Sequence, residues 1–359
     1  MKGYIVLETG EVFEGELTGD QKHVHGEIVF FTGMTGYQEV MTDPSFKGQM
    51  VVFTYPLIGN YGVNAVDNES RSSQAAALIV HKLSDEGYHY DSEDNLTTSC
   101  AKAGIPLLTG VDTRAIVKRI REKGDMRAIL TTDLKEVDFE LIPNLADQDV
   151  VADVSVTKPM QLGSGDTHIV VMDYGYKKSI IDHLLDLDCK VTIMPFHSTF
   201  EEVEALKPDG VLLSNGPGNP KRLVHLLPSI KKLAMTFPTM GICLGHQLLA
   251  LAFGADTEKL RFGHRGANQP VIDCMTNKVY MTSQNHSYVV KEDSLIQTGF
   301  SPKFMNINDS SIEGLIHNEW AVMTLQFHPE AHPGPSDSAH YFNDFMQMVH
   351  KKGREKTYA

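Results

Sequence analysis

The sequence predicts two domains: a β-rich α+β domain at the N-terminus, and an α/β domain at the C-terminus whose mostly parallel sheet is flanked by helices. Up to residue 150, short apolar and aromatic runs alternate with turn residues, which is typical of short strands. Across residues 167–359, strand-like runs alternate with helical segments, and this alternation predicts βαβ units. Residues 151–166 lie between the two patterns, and the run 157–166 (TKPMQLGSGD) has the composition of a linker.

The first domain is expected to contain short strands and a few helices. Apolar runs bounded by turn residues predict strands at residues 4–7, 12–13, 28–31 and 50–53. A helix is expected over residues 113–123, because Asp112 can cap its N-terminus and Gly124 can end it.

In the second domain the elements alternate in order along the chain. Strands are expected at residues 168–172, 190–194, 210–214 and 238–242. Helices are expected at residues 178–187, 201–206, 223–234 and 244–253. The alternation then weakens, and only a short strand at 279–281 and a last major strand at 321–326 are predicted.

The composition restricts the class of protein. A formal net charge of −14 over 359 residues leaves no basic stripe for phosphates, so we expect no nucleic-acid partner. The N-terminus leads straight into a strand-like run, and no apolar run reaches the roughly eighteen residues of a membrane helix. The cysteines have no paired or metal-like spacing: Cys100, Cys189, Cys243 and Cys274. A reduced, cytoplasmic enzyme without a membrane partner is therefore expected.

The motif with the most chemical content is residues 241–247 (GICLGHQ). Cys243 lies where an apolar strand stops and an apolar helix begins, and Gly241 and Gly245 flank it at two-residue spacing. A nucleophile elbow requires small flanking residues, because a strand and a helix pack closely around the turn. The helix N-terminus offers free amides and positive partial charge, which favour a thiolate. Cys243 is therefore the candidate nucleophile, with a buried structural cysteine as the alternative.

A base and an orienting carboxylate follow about eighty residues later. In residues 326–330 (QFHPE), His328 and Glu330 are two positions apart at the end of a predicted strand and therefore point the same way. His328 would accept the thiol proton while Glu330 holds the imidazole tautomer. The alternatives are idle exposed side chains, or a metal site formed by His328, Glu330 and His332.

Further polar segments are candidates for ligand binding. Residues 214–220 (SNGPGNP) follow a strand of the same sheet, and their glycines would let backbone amides approach a ligand oxygen. Residues 283–288 (SQNHSY) would offer donors and acceptors to a polar amino acid, or form a solvated loop. Glycine-rich loops at 32–39 and 54–62 match neither a P-loop nor a dinucleotide fingerprint.

These motifs carry a family resemblance over nearly the whole chain. Residues 241–247 and 326–330 resemble the class I (triad) glutamine amidotransferase family. The motifs at residues 32–39, 43–45, 55–62, 110–114 and 262–268 resemble the small-subunit family of carbamoyl-phosphate synthase. One surface segment, residues 89–94 (HYDSED), lacks the Ser-Asn-aromatic pattern of many relatives.

The resemblance implies a glutaminase with a Cys-His-Glu triad and a thioester intermediate. Cys243 would be the nucleophile, His328 the general base and acid, and Glu330 its orienter. Gly218 and Leu244 would supply oxyanion-hole amides, with Gly216 beside them. The glutamine-binding residues would be Ser45, Gln247, Asn285, Ser287 and Tyr288.

The resemblance also implies a heterodimer with a large synthetase subunit. That partner would make carbamoyl phosphate from ammonia, bicarbonate and ATP, for arginine or pyrimidine biosynthesis or both. No cofactor and no metal are expected in this chain, since ATP and Mg²⁺ belong to the partner. Three alternatives remain open at this point: a free-standing glutaminase, a non-catalytic binding subunit on an amidotransferase scaffold, and a metal-dependent hydrolase.

Overall fold

The structure, a computed structural model, describes residues 1–357 in two compact units. The first unit consists of Met1–Val150 and Leu260–Gly266. The second consists of residues 151–259 and the described residues from 267 onward. No helix among residues 1–357 is long and apolar enough to cross a membrane.

The first unit is built around a closed seven-stranded barrel with the order β1-β2-β8-β6-β4-β3-β9. Its strands are β1 (Lys2–Leu7), β2 (Val12–Thr18), β3 (His23–Phe31), β4 (Gln49–Phe53), β6 (Ala77–Ile79), β8 (Leu107–Thr109) and β9 (Met126–Thr131). A two-stranded sheet, β5 (Leu57–Ile58) and β7 (Lys82–Leu83), and three helices, α1 (Tyr37–Thr42), α2 (Leu96–Ala103) and α3 (Thr113–Lys123), complete this unit.

The predicted helix at 113–123 is present, and its ends follow from local chemistry. Asp112 accepts a hydrogen bond from the Ala115 amide at 2.9 Å, which caps the first turn. Gly124 ends the helix at φ +102°, in the region that favours glycine. Strand β4 of the barrel is buried on both faces. Met50 and Val52 of β4 pack in one apolar cluster, and the alternate Val51 and Phe53 pack in another.

A short segment predicted for the C-terminal domain groups with the first unit instead. Residues 260–266 are held there by Thr32 and Asp125, whose amides donate to the carbonyls of Arg265 and Arg261 at 3.2 and 2.9 Å. The buried guanidinium of Arg265 lies 3.0 Å from the Asp125 carboxylate. These partners are more than a hundred residues away along the chain, so no local pattern indicated the pairing.

The second unit contains a ten-stranded mixed sheet with the order β10-β12-β11-β13-β14-β19-β18-β17-β15-β16. Its strands are β10 (Met160–Leu162), β11 (Thr167–Asp173), β12 (Cys189–Pro195), β13 (Gly210–Leu213), β14 (Thr239–Ile242), β15 (Thr257–Asp273), β16 (Val279–Val290), β17 (Phe300–Asn306), β18 (Ile312–His317) and β19 (Val322–Leu325). The helices of this unit are α4 (Lys178–Asp186), α5 (Phe200–Ala205), α6 (Leu227–Thr236), α7 (Leu244–Ala252) and α8 (Tyr341–Thr357).

The prediction of a mostly parallel sheet needs correction. Only the central strands β12, β11, β13, β14 and β19 run parallel to their neighbours. The pairs β10–β12, β15–β17, β17–β18 and β18–β19 are antiparallel. Parallel neighbours need a crossover, and helices α4 to α7 all lie before residue 253. The later strands follow one another without intervening α-helices, which explains why the βαβ pattern fades there.

Three further elements differ from the sequence expectation. The predicted linker contains strand β10, which pairs with β12 from Met160 to Leu162. The predicted helix at 223–234 begins as a 3₁₀ segment, Pro220–Leu226, and becomes α-helical only at Leu227. The polar run 283–288 lies inside the long strand β16 and is not a loop.

The parallel strands bring distant motifs to one edge of the sheet. Strands β11, β13, β14 and β19 end at Asp173, Leu213, Ile242 and Leu325. Because the carboxyl ends of parallel strands share an edge, the segments that follow them meet there.

Candidate active site

Cys243 lies at the tip of a strained turn between β14 and α7. Its backbone has φ +52° and ψ −102°, a conformation that side chains other than glycine rarely adopt. The Cys243 amide donates to the Leu325 carbonyl of the adjacent β19 at 2.7 Å, which fixes the turn against the sheet. This geometry is that of a nucleophile elbow.

The two flanking glycines are required by close packing. A Cβ atom at Gly245 would lie 2.3 Å from the Leu213 carbonyl oxygen on β13. A Cβ atom at Gly241 would lie 2.6 Å from Leu249 Cδ1 and 2.7 Å from the Gly245 oxygen. The Gly-x-Cys-x-Gly spacing is therefore a consequence of strand and helix meeting without room for a side chain.

The thiol of Cys243 is buried and has two polar neighbours. Its Sγ donates to the Asn285 carbonyl oxygen at 3.6 Å. It also approaches His328 closely enough to raise the pKa of that imidazole by hydrogen bonding. The Nε2 atom of His328 is buried, and it makes no hydrogen bond of ordinary geometry within the described part of the chain. This nitrogen is the one available to take the thiol proton.

His328 and Glu330 form a buried pair. Nδ1 of His328 lies 2.6 Å from Oε1 of Glu330, and both side chains are almost fully excluded from water. The His328 amide also donates to the Ser283 carbonyl on β16 at 2.9 Å, which holds the segment after β19 in place. The carboxylate on Nδ1 fixes the imidazole so that Nε2 faces the thiol.

Electrostatics favour a charged His328–Glu330 pair. Burial lowers the pKa of His328, but the Glu330 charge and the hydrogen bonds of Cys243 and Glu330 outweigh it, so this pKa is raised. Burial raises the pKa of Glu330, but Lys177 and His328 outweigh it, so that pKa is lowered. A raised histidine pKa favours transfer of the thiol proton to Nε2.

Lys177 is a charged residue of this site that the sequence analysis missed. Its Nζ lies 3.1 Å from Oε1 of Glu330, with 3% of the lysine side chain exposed, and it also donates to the Ala331 carbonyl. The lysine thus ties the loop after β11 to the segment after β19. The available signal was a charged pair, Lys177–Lys178, only four residues beyond a buried strand run.

The loop that carries Lys177 is held by acceptors at the end of β11 and just after β13. Asp173 accepts from the amides of Gly175 and Tyr176 at 2.8 and 2.9 Å. The Asn215 side chain accepts from the Lys177 amide at 3.1 Å. Asn215 directly precedes Gly216, so this bond links the lysine loop to the predicted oxyanion loop.

The predicted oxyanion residues lie around the elbow. At Gly216, a Cβ atom would be 2.2 Å from the Tyr174 oxygen and 2.9 Å from Leu244 Cδ2, so the loop backbone passes close to the start of α7. Gly218 has φ +88°, and Leu244 is the first residue of α7. The Gly245 amide donates to the Ser214 oxygen at 3.1 Å, which fixes the helix start to this loop.

The predicted glutamine-binding residues of the second unit are brought together. The side-chain amide of Gln247 donates to the Tyr288 carbonyl at 2.8 Å and to Gln326 Oε1 at 3.0 Å. Asn285, Ser287 and Tyr288 lie on β16, with Asn285 against the thiol. The backbone of Ser287 has a negative φ, which a serine residue adopts without strain.

Ser45 lies in the first unit, buried in a 3₁₀ turn after Asp43, and its role stays a prediction.

His246, next to the elbow, is structural, and the alternative metal site is disfavoured by geometry. His246 is fully buried and bonds to Thr324 Oγ1 at 2.7 Å; burial lowers its pKa to about 3, so it stays neutral and structural. His328, Glu330 and His332 do not bring one ligand atom each within 4.8 Å of the others, although the described residues include all three. The Nδ1 of His328 and the carboxylate of Glu330 are instead paired with each other.

Fold and site together define an enzyme domain with a cysteine nucleophile elbow on the parallel part of an α/β sheet. The sequence model of the family "Glutamine amidotransferase class-I" matches residues 170–348. The model of the carbamoyl-phosphate synthase small chain, CPSase domain, matches residues 5–130.

Relatives cover both units. The chain is 61% identical to a "Carbamoyl phosphate synthase arginine-specific small chain" of Halalkalibacterium halodurans, over 100% of both chains. It is 51% identical to the arginine-specific small chain of Bacillus subtilis, also over 100% of both. A carbamoyl phosphate synthase small chain of Caldanaerobacter subterraneus is 43% identical over 97% of both. The chain therefore belongs to the carbamoyl phosphate synthase small chain family.

Proposed function

We propose that Cys243, His328 and Glu330 are the residues with which this small chain hydrolyses glutamine. The observation that carries the assignment is the elbow. It places a buried thiol beside the free Nε2 of an imidazole whose Nδ1 is 2.6 Å from a carboxylate. Thiol, imidazole and carboxylate in this order are the parts of an acyl-transfer nucleophile set.

The reaction proceeds in two steps. The Cys243 thiol gives its proton to His328, and the sulfur attacks the side-chain amide carbon of glutamine. The imidazolium then protonates the departing nitrogen, so that ammonia leaves and a thioester remains. In the second step His328 takes a proton from water, the resulting hydroxide attacks the thioester carbon, and the proton returns to sulfur as glutamate leaves.

The oxyanion of each tetrahedral intermediate needs donors close to the elbow. The amides of Gly218 and Leu244 are proposed for this role, with Gly216 providing the close backbone approach. Gln247, Asn285, Ser287 and Tyr288 are proposed to bind the glutamine head group and side chain, together with Ser45. Polar donors in a buried site of this kind stabilise developing charge strongly, because water is excluded.

The ammonia passes to a large synthetase subunit in a heterodimer. ATP and Mg²⁺ are proposed to bind to that partner, and this chain is proposed to need no cofactor or metal. The arginine-specific names of the relatives support a role in arginine biosynthesis. A shared role in pyrimidine biosynthesis is the broader alternative. All four cysteines are free, which supports a cytoplasmic location.

The test measures carbamoyl phosphate synthesis by the heterodimer with either glutamine or ammonium as nitrogen source. For Cys243→Ser we expect glutamine-dependent synthesis to fall by about 10⁴-fold or more, because the nucleophile is lost. Ammonium-dependent synthesis should remain at the wild-type level. Cys274→Ser, at the exposed cysteine, is the matched control and should leave both rates unchanged. Equal glutamine rates in wild type and Cys243→Ser would refute the assignment.

A further inference from the structure

We infer that the segment around Tyr88 and Tyr90 of the first unit is a docking surface for a basic patch of the large synthetase subunit. This inference rests on the proposed function, because it names the surface through which that partner is held. The docking surface comprises Tyr88, Tyr90 and the acidic residues between positions 85 and 93.

Two tyrosines of this surface are almost fully exposed. Tyr88 is 77% exposed and Tyr90 is 89% exposed, which places them among the most exposed large hydrophobic side chains of the described residues, together with Leu141 and Ile296. Leaving both rings in water forgoes the burial that ordinarily stabilises aromatic side chains. Tyrosine is also among the residues that contribute most to protein interfaces.

The tyrosines are presented on a hydrogen-bonded loop. The Tyr88 amide donates to the Asn60 carbonyl at 2.9 Å, and the Ser92 amide donates to the His89 carbonyl at 3.0 Å. The His89 ring packs on the Tyr90 ring with centroids 4.2 Å apart. A loop held in this way presents its side chains with little further loss of conformational entropy on binding.

A neighbouring loop supports the same presentation. A Cβ atom at Gly87 would lie 2.5 Å from the Gly62 Cα, so the two backbones pass in direct contact. The Glu93 amide donates to the Val63 carbonyl at 2.9 Å, and Val63 forms a β-bridge with Asp94. The 60–63 and 87–94 segments therefore form one packed support beneath the tyrosines.

The charge of the surface indicates the chemistry of its partner. No lysine or arginine occurs between residues 84 and 101, whereas Asp85, Glu86, Asp91 and Glu93 are all exposed. Asp94, at the edge, is paired with Lys102 at 2.6 Å. Asp91 lies 3.7 Å from the His89 ring, and no lysine or arginine is paired with the other three carboxylates among the described ion pairs. Two exposed aromatic rings among these carboxylates are complementary to arginine and lysine side chains, which bind both carboxylates and ring faces.

The experiment measures the Kd between purified small chain and purified large chain of the same organism, at low and high salt. For Tyr88→Ala/Tyr90→Ala we expect Kd to rise at least ten-fold. For Asp85→Lys/Glu86→Lys the rise should be large at low salt and small at high salt, because salt screens exposed charges. The matched control is Met275→Ala/Ile296→Ala in the second unit, whose side chains are 71% and 77% exposed, and it should leave Kd unchanged.

The readouts separate the inference from the proposed function. The basal glutaminase rate and the melting temperature of each isolated variant should equal those of the wild type, since this loop is outside the proposed catalytic set. Wild-type affinity of both surface variants would overturn the docking surface and leave the glutaminase assignment intact. A wild-type chain that fails to bind the large chain, or to supply it with nitrogen from glutamine, would overturn the proposed function as well.

Discussion

The chemistry at the residue scale depends on three buried charges in a row. Lys177, Glu330 and His328 are linked by contacts of 3.1 and 2.6 Å, and the imidazole faces the Cys243 thiol. Removing one member leaves the others without compensation in a site that water does not reach, where an unpaired charge is costly. Lys177 therefore acts as a positioning residue that keeps Glu330 ionised and aimed at Nδ1.

The signs of the two pKa shifts are opposite. Glu330 has a lowered pKa, so its stabilising contribution is present above its ordinary pKa of 4.5 and is lost as the pH falls through the folded-state value. His328 has a raised pKa, so its contribution is complete below its ordinary pKa of 6.5 and is lost as the pH rises through the folded-state value. The charged pair therefore contributes most to the stability of the folded state between pH 4.5 and pH 6.5, the ordinary pKa values of the two groups.

Glu330→Gln tests the orienting role. The substitution removes the negative charge that raises the pKa of His328, so the ionisation that reports His328 in the pH profile of kcat/KM should move to lower pH. We expect kcat for glutamine hydrolysis to fall by roughly 10²- to 10⁴-fold, as when the orienting acid of a triad is replaced.

The control for that measurement is Glu258→Gln at an exposed glutamate of the same unit, which should reproduce the wild-type profile. A Glu330→Gln enzyme with an unmoved pH profile and a normal kcat would show that Glu330 does not act on His328.

At the scale of elements, the site depends on how closely α7 packs on β13 and β14. Gly245 has no space for a side chain because the Leu213 carbonyl lies 2.3 Å from the position of a Cβ atom. The backbone of β13 cannot retreat easily, since it is hydrogen-bonded to β11 and β14 on its two sides. The helix would have to move instead, and Cys243 would move with it.

Gly245→Ala should therefore lower stability by about 1–3 kcal/mol through overpacking. A displacement of the nucleophile should also reduce kcat by roughly 10²-fold. Denaturant unfolding and steady-state glutaminase assays measure the two effects separately.

Gly104→Ala is a control outside the site. Gly104 ends α2 at φ +70°, and the atom nearest to its Cβ position is Gln21 Nε2 at 3.9 Å. The Gly104→Ala variant should lose about 1 kcal/mol of folding stability, because alanine is strained in the left-handed backbone region, and it should keep full activity. Equal activity losses in the two variants would contradict the packing explanation for Gly245.

At the scale of the whole molecule, the two units carry different parts of the function. The second unit contains the elbow, the His328–Glu330 pair and Lys177. The first unit contains Ser45 and the proposed docking surface around Tyr88 and Tyr90. Ammonia formed in the second unit would be diluted or protonated in bulk water, so a sheltered route to the partner is expected.

Label transfer tests that route. The heterodimer is given glutamine labelled with ¹⁵N in its amide, together with an equal concentration of unlabelled ammonium, and the label in carbamoyl phosphate is measured. We expect the product to keep nearly all of the label, and the isolated small chain to hydrolyse glutamine far more slowly than the heterodimer. Cys243→Ser in the same mixture should give unlabelled product only. Dilution of the label to the level of the free ammonium pool would show that ammonia is released to solvent.

The sequence by itself determined the nucleophile elbow, the central βαβ alternation and helix α3, because each depends on neighbours within a few residues. Gly241 and Gly245 indicate the tight turn at Cys243. Asp112 and Gly124 indicate the two ends of helix α3. The motif also identified His328 and Glu330 as a pair, although the segment after β19 forms bends and a turn there and is not the extended end of a strand.

Only the tertiary structure decided the closure of the barrel, the antiparallel half of the large sheet, the place of residues 260–266 and the role of Lys177. Each depends on partners far apart along the chain: Lys177 and Glu330 are about 150 residues apart, and β1 closes the barrel with β9. Hydrophobic periodicity and turn residues specify local conformation. The partner of a buried charge or a strand edge is selected by the free energy of the whole packed arrangement.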